Sequence, residues 1–307
     1  MGEPARTTPD HYNHRTRPEK HEESHVTETL AEKVEAVERT ASPYHFAMVE
    51  PSEFDVVYEI NPWMATTDRP DRELALAQWR TLVDAYRAYG HTVEIIPGVP
   101  GLPDMVFAAN GGLSVGGIFY TAKFSTEFRE AEGPLHAEWQ KANTSAKVVE
   151  ATFVNEGEGD YIALGDRVLA GYGFRSTIES HRELEAVAGR EVVSLHLVDS
   201  RFYHLDTALC VLDEARGLVA YFPGAFGDES RATLERLFPD AVKVSAEDAE
   251  AFAMNSVSDG KHVFHAGAAR EFGRIVEELG FVSVPLDLSQ FLKAGGGIKC
   301  CTMTLRD

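Results

Sequence analysis

The segment 202–207 brings a histidine and a carboxylate within two residues of each other, after a predicted strand. Side chains at alternate positions of an extended backbone point the same way, so His204 and Asp206 would share one face. A histidine beside a carboxylate is a pairing that general acid–base catalysis uses, because the carboxylate stabilises the protonated ring. The same pattern also occurs where a histidine is hydrogen-bonded inside a core, so the segment needs a nucleophile elsewhere to become a catalytic site.

The C-terminal segment supplies that nucleophile. Three glycines at 295–297 stand before the adjacent residues Cys300 and Cys301, and glycine lets the backbone approach a ligand closely. If the segment is a strand, Cys301 lies on the face of Met303 and Leu305, which is typical of a core. Cys300 then falls on the opposite, more polar face and is the candidate nucleophile, although burial as an inert thiol is the commoner fate of a cysteine taken alone.

Three further stretches carry carboxylates or amides beside glycine or proline. The acidic turn 155–160 holds Glu156 and Glu158 among glycines, and it suits a metal ion or a guanidinium as well as it suits plain solvation. Segments 61–64 and 102–112 place Asn or Asp next to Pro or Gly, which by itself indicates only turn chemistry.

The bulk composition excludes several classes of partner. The 307 residues include 49 Asp and Glu against 29 Lys and Arg, and a formal charge of −20 repels the phosphates of nucleic acids. The acidic field favours a cationic small molecule, or it serves solubility alone. Three cysteines form neither a disulfide framework nor a zinc motif, and no apolar run is long enough to span a bilayer. We therefore expect a soluble, cytoplasmic protein without membrane partners.

The first 43 residues differ from the rest of the chain. Residues 1–25 are polar and almost free of large apolar side chains, which predicts a mobile segment. Val26, Leu30, Val34 and Val37 then recur at helical spacing and predict a short amphipathic helix. The predicted organisation is a mobile polar extension over 1–43 and one catalytic domain over 44–307.

Beyond the extension, one structural unit recurs about every 50 residues: a hairpin, a helix and a strand. Predicted hairpins span 112–124, 161–171, 209–222 and 256–265. Predicted helices span 71–89, 177–188, 229–237 and 268–279. Predicted single strands span 46–49, 92–96, 191–198, 242–244 and 281–284, and residues 295–305 are predicted to be a glycine-rich entry into a final strand. Radial closure of such units removes exposed sheet edges, whereas a doubly wound sheet would have single strands between its helices. The repeat therefore favours a propeller-like fold.

Taken together and in order, these motifs resemble those of the guanidino-group-modifying enzymes, also called the amidinotransferase superfamily or penteins. Within that superfamily the chain is most similar to dimethylargininases and arginine dihydrolases. The similarity runs from about Phe46 to Leu305. It rests on Asn61-Pro-Trp-Met, Pro103-Asp-Met-Val-Phe-x-Ala-Asn110, Gly171-Tyr-Gly-Phe-Arg175, Phe202-Tyr-His-Leu-Asp-Thr207 and Phe291-Leu-Lys-Ala-Gly-Gly296.

The resemblance implies a single-domain, five-bladed α/β propeller of ββαβ units and a cysteine mechanism. Cys300 would attack the guanidinium carbon, while His204 would protonate the departing amine and then activate water. Glu156 and Asp206 would bind the guanidino nitrogens, and Glu158 is close enough in sequence to leave the choice of glutamate open. No metal or other cofactor is expected.

The resemblance also implies a set of substrate contacts. Arg175 matches the residue expected to hold the substrate α-carboxylate. Asn61, Asp104, Asn110 and the Ala294 backbone match further contacts. Many family members have Asp where this chain has Asn110, whereas arginine dihydrolases have Asn. Lys123 stands where those dihydrolases have an arginine, which predicts looser recognition of the carboxylate.

The predicted activity is hydrolysis of arginine or methylated arginine through a covalent Cys300 amidino-thioether, giving ornithine or citrulline. One alternative is transfer of the amidino group to an acceptor amine. Another is a non-catalytic binding protein or a metal-dependent hydrolase built on His204, Asp206 and the 155–160 turn. The expected partner is a small cationic guanidino compound, and self-association is left open.

Overall fold

The computed structural model describes residues 1–2 and 38–306. The predicted amphipathic helix over 26–37, and most of the segment predicted to be mobile, lie outside these residues. Residues 38–306 belong to one compact unit. Within it Arg39 donates to the Leu279 carbonyl at 2.8 Å, and the Ser42 N–H donates to the Asp259 carbonyl at 2.8 Å. The predicted boundary between residues 43 and 44 stays a prediction.

The described residues form fifteen strands in five three-stranded sheets. The strands are β1 His45–Val49, β2 Thr92–Ile96, β3 Gly112–Val115, β4 Ile118–Thr121, β5 Lys147–Val149, β6 Tyr161–Leu164, β7 Arg167–Tyr172, β8 Glu191–His196, β9 Leu209–Asp213, β10 Leu218–Tyr221, β11 Val242–Lys243, β12 Val257–Ser258, β13 His262–Ala266, β14 Val282–Leu286 and β15 Met303–Leu305. The α-helices are α1 Arg72–Ala88, α2 Glu132–Asn143, α3 Ile178–Ala188, α4 Asp228–Leu237, α5 Ala246–Glu250, α6 Arg270–Glu278 and α7 Ser289–Leu292.

Four of the five sheets repeat one design along the chain. An antiparallel hairpin, such as β3–β4, is followed by a helix and by a third strand that pairs in parallel with the second hairpin strand. Parallel pairing needs a crossover connection, and the helix supplies it. The predicted hairpin, helix and strand unit is confirmed, and so is the propeller of ββαβ units.

The fifth sheet joins the two ends of the described domain. Strand β15 pairs antiparallel with β1, with His45 opposite Leu305, and β1 pairs in parallel with β2 across helix α1. This unit is therefore a ββαβ unit whose first strand comes from the C-terminal end of the chain. The sequence predicted strands at both ends but not their pairing.

Helix α1 shows why the predicted elements form. The Asp71 carboxylate accepts the Leu74 N–H at the start of the helix, and Gly90, with φ +93°, follows its end. Its buried face includes Trp79, Leu82 and Tyr86. Each large apolar side chain buried in this way contributes roughly 1.5–3 kcal/mol relative to exposure. The amphipathic pattern therefore predicted this helix to within a residue at each end.

Helix α2 and strand β5 were not predicted. The helix carries Gly133 and Pro134 in its first turn, where proline is tolerated, and these residues suggest a loop when only the sequence is considered. Strand β5 has only three residues, Lys147–Val149, and none of them is fully buried. Neither element therefore has the long apolar period that would reveal it.

Two local predictions near the site are wrong. The last strand is confined to Met303–Leu305, because the Cys301 N–H donates to the Gly297 carbonyl and the preceding segment forms a turn. Residues Leu205–Thr207 form a 3₁₀ helix, in which the Thr207 N–H donates to the His204 carbonyl, and not an extended segment. Strand alternation therefore does not govern where Cys300, His204 or Asp206 point.

The first strands of the units lie next to one another, since β9 contacts β12 and β15 contacts β3. Polar residues stand in the loops that precede these strands. Within residues 1–2 and 38–306, no helix is both long and apolar enough to cross a membrane.

Candidate active site

All five repeats contribute to one buried polar cluster, and each does so from the same place in its unit. The contributing residues are Asn110 before β3, Glu156 before β6, His204 and Asp206 before β9, Asn255 before β12 and Cys300 before β15. Equivalent loops of a radially repeated fold converge, so residues far apart in the sequence meet.

Cys300 is buried, with 2% of its surface exposed, and its sulfur lies 3.2 Å from Asp206 Oδ2. Burial, and then the negative charge of Asp206, raise the pKa of the Cys300 thiol well above its usual value. The thiol therefore keeps its proton and donates a hydrogen bond to the Asp206 carboxylate. Cys301 is also fully buried, and burial raises its pKa, which agrees with its predicted place in the core.

His204 is held by Glu156. The ring Nε2 lies 2.8 Å from Glu156 Oε2, and both side chains are buried. Arg175 Nη1 donates to both Glu156 oxygens, and Ser125 Oγ donates to Oε1. Burial alone would raise the Glu156 pKa, but Arg175 and His204 outweigh it and hold the pKa below its usual value. A permanent carboxylate thus orients the His204 ring.

This geometry changes the role that the resemblance implied for Glu156. Its oxygens form hydrogen bonds with His204, Arg175 and Ser125. In this conformation Glu156 therefore orients the histidine and has no oxygen free to bind guanidino nitrogens. The neighbouring Glu158 turns elsewhere, where it accepts from Lys299 Nζ at 2.8 Å and from the Thr304 N–H. Of the two glutamates, Glu156 is the one that joins the cluster.

Three buried polar atoms of this region have no hydrogen-bond partner among the described residues: Asp104 Oδ1, Asp206 Oδ1 and Asn110 Nδ2. Buried polar atoms nearly always form hydrogen bonds, so a group of buried atoms without partners indicates a site where a ligand supplies the missing hydrogen bonds. Two of them are carboxylate oxygens, which accept from a cationic donor, and the third is an amide N–H. Asp104 is held through its other oxygen by the Tyr58 hydroxyl at 3.0 Å.

The orientation of the Asn110 amide is fixed by Arg129. Arg129 Nη1 lies 2.9 Å from Asn110 Oδ1, and a guanidinium can only donate, so the nitrogen of the amide must point the other way. That nitrogen lies beside Gly159, where a Cβ would approach Asn110 Nδ2 to 2.4 Å and His204 Nδ1 to 3.1 Å. The cluster therefore presents an N–H donor near His204.

Arg129 was not identified from the sequence. It is buried and forms a two-point ion pair with Glu132. Four of the six residues 127–132 are charged, a composition that predicts a solvated surface. Nothing in the local pattern therefore marks this arginine.

The remaining predicted contacts divide into two groups. Asn61 Nδ2 donates to the Ala294 carbonyl at 3.0 Å and to the Tyr203 hydroxyl, which in turn donates to the Gly295 carbonyl. These contacts tie the glycine loop before Cys300 to the loop of Asn61. Lys123 does not join the cluster, because its exposed ammonium donates to the Thr152 carbonyl at 2.7 Å.

Arg175, predicted to hold a substrate carboxylate, donates its hydrogen bonds to other residues of the protein. Besides Glu156 it reaches the Ile60 carbonyl at 2.8 Å, and its guanidinium lies 4.7 Å from the centre of the Tyr203 ring. Substrate binding through Arg175 stays a prediction.

In the part of the chain that the structure describes, no group of three or more His, Cys, Asp or Glu side chains is arranged to hold a metal ion.

Comparisons with known proteins show the family of the chain. A family model described as N,N dimethylarginine dimethylhydrolase, eukaryotic, matches residues 59–307. The N(G),N(G)-dimethylarginine dimethylaminohydrolase of Mycobacterium tuberculosis is 45% identical over 87% of both chains. The bifunctional arginine dihydrolase/ornithine cyclodeaminase AgrE of Nostoc is 36% identical over 87% of this chain, which spans only 38% of that longer protein.

Solved structures show the same relationship. The N-terminal domain of ArgZ, a cyanobacterial arginine dihydrolase, has been solved as a mutant bound to substrate, and it matches with a TM-score of 0.81 and 34% identity over 86% of this chain and 98% of that one. A second variant of the ArgZ domain, bound covalently to a reaction intermediate, also matches with a TM-score of 0.81.

Proposed function

The chain belongs to the N,N dimethylarginine dimethylhydrolase family and is a hydrolase of guanidino C–N bonds, and from this premise we propose that it hydrolyses arginine twice, to ornithine. The observation that carries the proposal is the Asn110 amide, whose N–H points into the site without a partner. The balanced reaction converts arginine and two waters into ornithine, two ammonia molecules and carbon dioxide.

In the first half-reaction the substrate guanidinium binds against the unpaired oxygens of Asp104 and Asp206. Its positive charge offsets the acidic surroundings of Cys300 and favours the thiolate. The thiol proton passes to Asp206, to which it already donates, and the sulfur bonds to the guanidino carbon. The C–N bond then breaks, and His204 supplies the proton that the leaving ammonia needs.

In the second half-reaction water replaces the sulfur. His204, kept in place by the Glu156 carboxylate, takes a proton from water as the oxygen attacks the amidino carbon. As the C–S bond breaks, the electron pair returns to Cys300 as a thiolate, which takes back the proton held by Asp206, and the remaining hydroxyl proton is released to solvent as the carbonyl forms. The product of this first hydrolysis is a ureido group, which is neutral and carries a carbonyl oxygen.

Asn110 distinguishes the ureido group from the original guanidinium. A guanidinium only donates hydrogen bonds, so the amide N–H of Asn110 has nothing to accept it there. The ureido oxygen is an acceptor, and the Asn110 N–H can hold and polarise it for a second attack by Cys300. A carboxylate at this position would instead repel that oxygen and favour release of citrulline.

The relative from Mycobacterium tuberculosis supports a second candidate function. That protein, 45% identical over 87% of this chain, is named as a dimethylarginine dimethylaminohydrolase. The corresponding reaction here would be one hydrolysis of dimethylarginine, giving citrulline and dimethylamine. That reaction uses the same Cys300 and His204 chemistry. It does not require the Asn110 N–H to hold the ureido product for a second attack.

Product analysis decides between the two functions. The purified protein is incubated separately with arginine, asymmetric dimethylarginine and citrulline, and products are identified by mass spectrometry. We expect ornithine from arginine, and we expect Asn110→Asp to shift the product toward citrulline. Asn143→Asp makes the same chemical change at an exposed position, and its products should match those of the wild type.

Stoichiometric release of citrulline by the wild type, with no ornithine at any time, would overturn the two-step proposal. The covalent Cys300 chemistry would survive that outcome, because both candidate functions share it. Turnover that persists after Cys300 is fully alkylated would instead remove the mechanism common to both.

A further inference from the structure

The loop before β12 contributes a buried amide, Asn255, for which the motifs predicted no function. We propose that Asn255 is a further catalytic residue, which donates a hydrogen bond to the Cys300 thiolate and fixes the position of the sulfur for attack. The inference rests on Cys300 being the nucleophile but not on which guanidine is the substrate.

Three contacts surround the Asn255 side chain. The Cys300 N–H donates to Asn255 Oδ1 at 3.2 Å. Asn255 Nδ2 donates to the Cys300 sulfur at 3.1 Å and to the Asp206 carbonyl at 3.2 Å. The side chain thus touches both the backbone and the reactive atom of Cys300, and it also reaches the residue that receives the thiol proton.

Two neighbouring backbone groups fix the orientation of this amide. The Cys300 N–H can only donate, so the side-chain atom opposite it must be oxygen. The Asp206 carbonyl can only accept, so the atom opposite it must be nitrogen. Two groups of fixed polarity therefore agree, and the N–H of Asn255 necessarily faces the sulfur.

The surroundings keep the amide in this position. Asn255 is only 1% exposed, and its own carbonyl accepts the Lys299 N–H at 3.3 Å. A Cβ on Gly297 would approach Asn255 Oδ1 to 2.9 Å, so the glycine leaves the space that the amide fills. Water does not compete for this donor, because the site is buried, and the hydrogen bond is correspondingly stronger than at a surface.

The amide opposes the two influences that make the thiolate hard to form. Burial and the Asp206 carboxylate both raise the pKa of Cys300. A hydrogen bond to an ion is stronger than one to a neutral sulfur, so the Asn255 N–H favours the thiolate over both the thiol and the thioether. It therefore assists attack and also assists the later departure of the sulfur, when the C–S bond breaks and the thiolate returns.

The test measures Cys300 reactivity without substrate. Iodoacetamide alkylation of the full-length protein is followed against pH, with the modified cysteine identified by peptide mass mapping. We expect Asn255→Ala and Asn255→Asp each to slow alkylation of Cys300 by at least about tenfold near neutral pH, as expected for loss of a hydrogen bond to a charged group. With substrate, kcat should fall by a similar factor while KM changes little.

The two variants separate a chemical role from a structural one. Asn255→Asp keeps the size of the side chain and the oxygen that accepts the Cys300 N–H, whereas Asn255→Ala loses both contacts. Both variants lose the N–H donor, and Asn255→Asp also places a negative charge beside the sulfur, whereas Asn255→Ala adds no charge. Ser256→Ala serves as the matched control, because Ser256 is the next buried residue and its hydroxyl donates to the Ala253 carbonyl, away from the sulfur.

Slow alkylation in both variants at an unchanged melting temperature, with Ser256→Ala like the wild type, supports the proposal. Alkylation of Asn255→Asp at the wild-type rate and with the wild-type pH profile overturns it. If Asn255→Ala does not fold, Asn255→Leu decides the question, because leucine is similar in size, uncharged and without a donor. Turnover of the wild type that survives complete alkylation of Cys300 would instead refute the Cys300 mechanism. The alkylation rates are measured without substrate, so they test the role of Asn255 separately from that mechanism.

Discussion

Within the residues that the structure describes, two regions bury histidine against carboxylate, and only one of them has the features of an active site. The first, the Cys300 cluster, consists of Asn110, Glu156, His204, Asp206, Asn255 and Cys300. The second, the Asp259 cluster, consists of His91, Asp259 and His262. In the latter, His262 Nδ1 lies 2.8 Å and His91 Nε2 lies 3.4 Å from Asp259 Oδ2.

The two clusters differ in what their carboxylates still have to offer. Asp259 Oδ1 accepts the N–H groups of Lys261 and His262, and its Oδ2 faces both histidines. Asp206 Oδ1 in the Cys300 cluster has no partner among the described residues. The Asp259 carboxylate closes a turn, whereas the Asp206 carboxylate keeps one oxygen free to bind a ligand. A buried histidine beside an acid therefore does not define a catalytic site without a nucleophile and a carboxylate oxygen that is free to bind a ligand.

The largest effect is expected from the atom that the Asp259 cluster lacks, the Cys300 sulfur. Cys300→Ser should lower turnover to below about 10⁻³ of the wild-type rate, because a hydroxyl is a far weaker nucleophile than a thiolate. Steady-state product formation and circular dichroism together distinguish lost chemistry from lost folding. Cys301→Ser is the adjacent control and should retain most activity. The reverse result would identify Cys301 as the nucleophile.

The second effect compares the histidines of the two clusters. His204→Ala should lower kcat by at least about 10²-fold, the usual loss for a general acid–base group. A Cys300 amidino adduct should then accumulate and appear as a mass increase in the intact protein. His262→Ala, from the Asp259 cluster, should keep kcat within about twofold of the wild type. Near-normal turnover by His204→Ala would exclude that histidine from the mechanism.

The third effect is on stability alone and concerns Asp259. Burial would raise its pKa, but hydrogen bonds from His91, His262 and backbone N–H groups outweigh burial and hold the pKa well below its usual value. A depressed pKa in the folded state stabilises the protein above the unfolded pKa of about 4, and that stabilisation is lost as the pH falls toward the folded pKa.

Asp259→Asn should therefore lower the free energy of unfolding by about 1–2 kcal/mol at pH 7 and by less at pH 3. Urea unfolding at the two pH values measures the difference, and kcat at pH 7 should be unchanged. An equal loss at both pH values would show that the charge of Asp259 does not stabilise the fold.

The sequence by itself determined the repeat and the type of chemistry. Strand β2 lies at Thr92–Ile96 as predicted, and the β3–β4 hairpin turns at Gly116 and Gly117, whose φ values of +59° and +77° favour glycine. These features are set locally, by apolar period and turn residues, so the residues themselves reveal them. The ordered motifs around His204 and Cys300 likewise indicated the family, which the comparisons confirm.

Only the tertiary structure decided which side chains meet. Cys300 contacts Asp206, 94 positions away in the chain, and Asn255, 45 positions away. The tertiary structure also decided that Arg129 donates to Asn110. It likewise decided that Glu156 contacts His204 while Glu158 pairs with Lys299. Strand alternation did not supply these partners, because residues 299–301 and 205–207 fold into turns and a 3₁₀ helix. Loops that converge by closure of five units bring together residues whose local patterns indicate only turns or solvent.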